Sequence, residues 1–60
     1  MDVAQAMDLA LEAEKRGLAF YADVLSNTTD PEIKVMAREF VEEEAEHVRA
    51  IERWIARLAA

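Results

Sequence analysis

Phe40-Val41-Glu42-Glu43-Glu44-Ala45-Glu46-His47-Val48 is the stretch whose reading decides the fold. At about 100° per residue, most of its charged side chains turn away from an apolar helical stripe. That stripe is Ile33, Ala37, Phe40, Val48, Ile51, Ile55 and Leu58. With Ile33 at zero it spans roughly −20° to +60°, and Glu44 at about +20° and His47 at about −40° fall on or beside it. A carboxylate and an imidazole thus stand where an amphipathic helix places apolar side chains. Polar groups on a buried side are costly unless something satisfies them. What satisfies Glu44 and His47 is therefore the functional question.

Upstream of this helix lies the one clear break, Ser26-Asn27-Thr28-Thr29-Asp30-Pro31. Asp30 is a good N-cap, Pro31 suits the first helical position, and Glu32 complements the helix dipole. Arg49, Arg53 and Arg57 lie toward the other end. The pattern predicts a helix over about 31–58. Before the break, Asp2 is a fair N-cap for a helix over about 2–25. With Glu14 at zero, Val3, Met7, Ala10, Leu11, Leu18, Tyr21 and Leu25 fall within about ±60°. Glu14 is the centre of that stripe, as Glu44 is of its own. Leu9, Ala13 and Phe20 widen the apolar face beyond what one partner helix covers, either as a second contact surface or as ordinary surface scatter. Gly17 costs on the order of 1 kcal/mol in a helix interior. It either admits a close neighbour at the edge of the stripe or is tolerated without a role.

The fold class is all-α: a single domain over residues 1–60, formed as a two-helix antiparallel hairpin. Two helices cover only part of each other's stripes, so two hairpins are expected to pair into a four-helix bundle, as a homodimer or a larger even-numbered oligomer. With 60 residues, one core alone gives little stability, and small scaffolds need staples. The chain has no Cys, which excludes disulfides and thiolate metal sites and fits a reducing, cytoplasmic compartment. No apolar run is long enough to span a membrane, and no signal-peptide core opens the chain. Thirteen acidic and seven basic residues give a net charge of −6, which argues against a nucleic-acid surface and suits the gathering of cations.

Depth along the hairpin brings the polar residues together. Glu14 lies some ~17 Å and Glu44 ~20 Å from the turn at 1.5 Å per residue, and His47 is one turn beyond Glu44 on the same face. Two hairpins related by a two-fold axis would assemble Glu14, Glu44 and His47 twice over. That is the ligand set of a bundle-core di-iron or di-manganese site, with one Glu from each of two helices and Glu-x-x-His from each of the others. About four negative charges would meet two divalent ions there, and oxygen-rich ligation with one imidazole per ion suits iron or manganese better than zinc. The competing reading is a satisfied polar layer, with Glu14 bonded to His47, in a non-catalytic oligomerisation module.

Three segments in order carry a family resemblance: Glu14-Lys15-Arg16-Gly17-Leu18-Ala19-Phe20-Tyr21, then Asp30-Pro31-Glu32-Ile33-Lys34, then Glu42-Glu43-Glu44-Ala45-Glu46-His47-Val48. Together they resemble one half of the rubrerythrin branch of the ferritin-like superfamily. The resemblance implies a carboxylate-bridged di-iron site with Glu14, Glu44 and His47 at the ligand positions and Glu44 bridging the ions. Rubrerythrins carry two such halves and usually a four-cysteine rubredoxin module; this chain offers one half and no Cys. In plan it is more similar to encapsulated ferritins, whose site forms between two subunits. That similarity implies ferroxidase activity and an encapsulating shell protein as a further partner, although Leu58-Ala59-Ala60 does not read as a shell-targeting tail. Half of a peroxide-reducing rubrerythrin-like domain is the other reading the resemblance leaves open.

The remaining residues have plainer readings. Tyr21, two turns after Glu14, either hydrogen-bonds a ligand carboxylate from behind or packs in the core. Met7 and Met36 read as core filler, and Trp54 as a packing or interface anchor. Glu42, Glu43 and Glu46 read as a solvated face with intrahelical pairs such as Glu46–Arg49, or as a path that leads cations inward.

Overall fold

An aspartate starts each helix. The computed structural model describes Met1–Ala60 and contains two helices, α1 (Val3–Asn27) and α2 (Pro31–Ala59), and no strand. At the head of α1, the Gln5 N–H donates to Asp2 Oδ1 and the Asp2 N–H donates to Gln5 Oε1, both at 2.8 Å. This reciprocal pair closes a capping box that satisfies two otherwise orphaned donors. At the head of α2, Asp30 Oδ1 accepts from the Glu32 N–H at 2.9 Å and more weakly from the Ile33 N–H at 3.4 Å. Pro31 follows at the position where a missing N–H costs nothing. Removing this cap in Asp30→Ala is expected to cost about 1 kcal/mol. A thermal melt followed by circular dichroism should read it as a midpoint about 4–8 °C lower.

α1 runs further than its sequence predicts. Ser26 and Asn27, which read as turn formers, close its last turn instead of leaving it. The Ser26 hydroxyl donates to the Ala22 carbonyl at 3.0 Å, and the Asn27 amide donates to the Asp23 carbonyl at 2.8 Å and to Asp23 Oδ1 at 2.9 Å. Such bonding back to the preceding turn lets short polar side chains sit at a helix end. The connection that remains is Thr28-Thr29-Asp30, where Thr28 Oγ1 accepts from the Asp30 N–H at 3.2 Å.

The helices lie antiparallel. Tyr21 meets Phe40 near the turn, Gly17 meets Glu44 at mid-length, and Ala4 shares a notch with Ile55, Leu58 and Ala59 at the open end. Both chain termini therefore lie at the end away from the turn. The Tyr21 and Phe40 rings stack with centroids 4.7 Å apart, and Phe20 meets Tyr21 edge-on at 5.3 Å.

A hairpin covers only one side of each helix. Ala37 alone is fully buried. The predicted stripe residues Phe40, Val48, Ile51 and Ile55 are half-buried, but Val3, Ile33 and Leu58 are exposed. Met36, read as core filler, is 46% exposed, because no second layer lies over it. The hairpin extends 44 × 17 × 12 Å. Its 4550 Å² of accessible surface exceeds the roughly 4,000 Å² expected of a compact monomer of 6.8 kDa. Neither helix is long and apolar enough to cross a membrane.

Candidate metal centre

Glu14 enters from the middle of α1; Glu44 and His47 enter from the middle of α2, one turn apart. Each offers one ligand atom, and these atoms lie within 4.8 Å of one another. His47 Nδ1 stands 3.6 Å from Glu14 Oε2 and 4.0 Å from Glu44 Oε2. Both separations are longer than a hydrogen bond. The matched depths predicted from helix rise thus bring the three side chains together. Their burial is less than the wheel suggests: Glu14 and Glu44 are half-buried, while the His47 side chain is 57% exposed. The reason is that a two-helix hairpin covers only one side of each helix.

The donor set fits a divalent ion. An ion bonded at ~2.1 Å to each of its ligands holds them no more than ~4.2 Å apart. The observed spread is about half an ångström looser, within reach of small side-chain rotations. Electrostatics point the same way. The neighbouring Glu14 carboxyl, by hydrogen bonding and then by its like charge, holds the Glu44 carboxyl above its ordinary value, with loss of water adding to the shift; His47 opposes it. Two carboxylates this close resist ionising together, and a cation between them relieves the conflict.

Gly17 lies beside this pair. A methyl group built on it would stand 3.5 Å from Glu44 Oε2 and 3.7 Å from its Cδ, which is ordinary contact. The helices do not require a glycine here, since alanine would meet the Glu44 carboxylate at ordinary contact distance. Sequence reasoning located the glycine at the stripe edge but not its neighbour; the spacing of three residues from Glu14 was the available signal. Gly17→Ala is expected to stabilise the metal-free chain by about 0.5–1 kcal/mol, because alanine restores helix propensity and its methyl group fits. The denaturant midpoint should rise; an unchanged or lower one would mean that the helices cannot admit even that contact.

Tyr21 is placed by packing: its ring lies on Phe40, across the helix interface. Outside the trio, Glu39, Glu42, Glu43, Glu46 and His47 line a shallow depression of about 350 Å³ on α2. Glu46 pairs with Arg49 one turn on, as its spacing predicts. The hydrogen bond from Arg49, reinforced by its charge, holds the Glu46 carboxyl below its ordinary value. This acidic face abuts the imidazole and lowers the potential where a cation would approach. The larger depression at Met1, Gln5, Asp8 and Leu9 gathers only one titratable side chain and carries no comparable chemistry. Comparison with known protein families, with curated proteins and with solved structures finds no match for this chain.

Proposed function

We propose that the protein is a ferritin-like di-iron carboxylate protein that oxidises ferrous iron, with its site completed by a second copy of the chain. The observation that carries the reading is the convergence of Glu14, Glu44 and His47 on one point in the middle of the hairpin. One hairpin supplies two carboxylates and one imidazole; a two-fold pair supplies four and two, enough for two ions in a four-helix bundle. Iron is the metal the donor set suits, with manganese close behind and zinc less favoured.

Bound ferrous ions would supply the electrons: two ions give up one each, and a dioxygen that accepts both with two protons leaves as hydrogen peroxide. The chain's own task is positional. Glu14 from α1 and Glu44 and His47 from α2 would hold an ion, the carboxylates supplying negative charge and the imidazole a neutral nitrogen donor. The acidic face beside His47 concentrates cations at the mouth of the site.

Anaerobic titration with ferrous iron, followed by admission of air, tests this. The expected result is one iron per chain, an even-numbered native mass, and near-ultraviolet absorbance that grows on oxidation. A chain that pairs but takes up no metal would instead be an oligomerisation module with a polar layer. The nine large hydrophobic residues left exposed on one chain favour pairing under either reading. An encapsulating shell and a rubrerythrin-like peroxide reduction are further readings, each resting on the family resemblance alone.

A further inference from the structure

His47 turns one particular ring nitrogen to the carboxylates. Nδ1 stands 3.6 Å from Glu14 Oε2 and 4.0 Å from Glu44 Oε2. An ion held by the trio therefore takes the Nδ1 lone pair, and the proton of the neutral ring sits on Nε2. No other carboxylate lies within ion-pair distance of the ring, whose side chain is 57% exposed. A ligand imidazole is ordinarily oriented through its other N–H, which donates to a carboxylate, a carbonyl or water. For His47 that N–H still needs an acceptor.

Four carboxylates share a depression with His47: Glu39, Glu42, Glu43 and Glu46. Pairing and helix geometry separate them. Glu46 is engaged by Arg49. Glu39 lies two turns back, ~12 Å along the helix axis. Glu42 is about 140° from His47 around the helix. Glu43 is one turn before His47 and about 40° from it, with the acid on the N-terminal side, the arrangement in which helical side chains meet best. It is exposed and has no basic partner. Its side chain is therefore free to swing to the ring.

We propose that Glu43 is the positioning residue of the site. Its carboxylate accepts the Nε2–H of His47 when metal is bound, and so fixes the ring with Nδ1 toward Glu14 and Glu44. Accepting that proton also makes Nδ1 a stronger donor. Glu43 itself touches no ion. This role rests on the metal reading above and goes beyond it, because it separates one acid of the depression from neighbours that act only by charge.

Zinc is the probe, since its closed shell permits NMR and nitrogen and oxygen ligands hold it. Calorimetric zinc titrations of the parent, Glu43→Ala, Glu43→Gln and Glu42→Ala are to be combined with nitrogen NMR of the labelled ring. Alanine and glutamine are good helix formers, so each variant keeps the hairpin. Glu43→Ala is expected to weaken zinc binding by about 10–100-fold. Glu42→Ala removes the same charge from the same depression and should cost no more than about fivefold. Glu43→Gln keeps an acceptor oxygen and should recover most of the loss seen with alanine. His47 is the only histidine, so its ring gives the only imidazole signals. In the zinc-bound parent and Glu43→Gln the Nε2 proton should be seen directly; in Glu43→Ala it should be lost to exchange with water. Equal weakening by Glu43→Ala and Glu42→Ala overturns the role, as does zinc bound through Nε2. A parent that takes up neither zinc nor ferrous iron is a different failure, which removes the metal reading and this role together.

Discussion

Phe40→Ala is expected to leave the metal-free chain without a stable fold. Phe40 is the largest side chain of α2 that α1 covers, and its ring stacks on Tyr21 across the interface. Truncating a core Phe costs about 3–5 kcal/mol, and half-burial places this site at the low end. The lost ring pair is part of that cost, at about 0.5–1.5 kcal/mol. A single core in a chain this short rarely contributes more than about 3–5 kcal/mol in total, so the loss is comparable to the whole margin. Far-ultraviolet circular dichroism of the apo variant should show no cooperative melt. Under the proposed function metal would bind only the folded state, so saturating metal should restore part of the helix signal. An apo variant that melts like the parent would show that the Tyr21–Phe40 contact contributes little to the hairpin.

Glu44→Gln is expected to move stability and metal affinity in opposite directions. In the metal-free fold the Glu44 carboxyl holds its proton above its ordinary value, chiefly through Glu14. The folded state therefore binds more protons than the unfolded chain between the ordinary and the raised value. Stability from this group is present below that window and declines as pH rises through it. Glu46, held low by Arg49, acts in the opposite sense: its contribution is present above the ordinary carboxylate value and is lost as pH falls through the lowered one. A neutral amide at position 44 removes the first effect and leaves the second. The apo variant should be more stable than the parent at neutral pH and should lose the decline above the acid range. Its metal affinity should fall by about 100-fold or more, since even residues that only support a ligand cost 10–100-fold. Metal uptake by the parent should release protons and weaken in acid, as ligands must be deprotonated to bind. Urea titrations across pH and calorimetric metal titrations read the two effects separately. A variant destabilised at neutral pH would mean that the Glu44 charge supports the apo fold instead of straining it.

The two helices, their caps and their antiparallel order were legible from one break and two aspartates, because capping chemistry is local. The meeting of Glu14, Glu44 and His47 was legible because helix rise is fixed, so equal distances from a turn become equal heights. What the wheel could not give was burial. It assigns Ile33, Met36, His47 and Leu58 to or beside an inner face, yet a wheel does not say how many neighbours that face has. The end of α1 was missed for a different reason. Ser26 and Asn27 bond back to carbonyls one turn earlier, and their residue types equally suit leaving the helix. Gly17 shows the same limit: its place on the stripe edge was visible, but the carboxylate above it depends on the opposite helix.

The termini share one end of a rod 44 Å long. Were two hairpins to pair in reversed orientation, the last residue of one and the first of the other would lie at opposite ends. A tandem fusion that keeps this pairing within one polypeptide thus needs a connector running the length of the bundle, at least about 13 residues at ~3.4 Å each. Shorter tethers would force each repeat to seek its mate in another molecule, and tether length becomes a dial between self-contained units and chained assemblies.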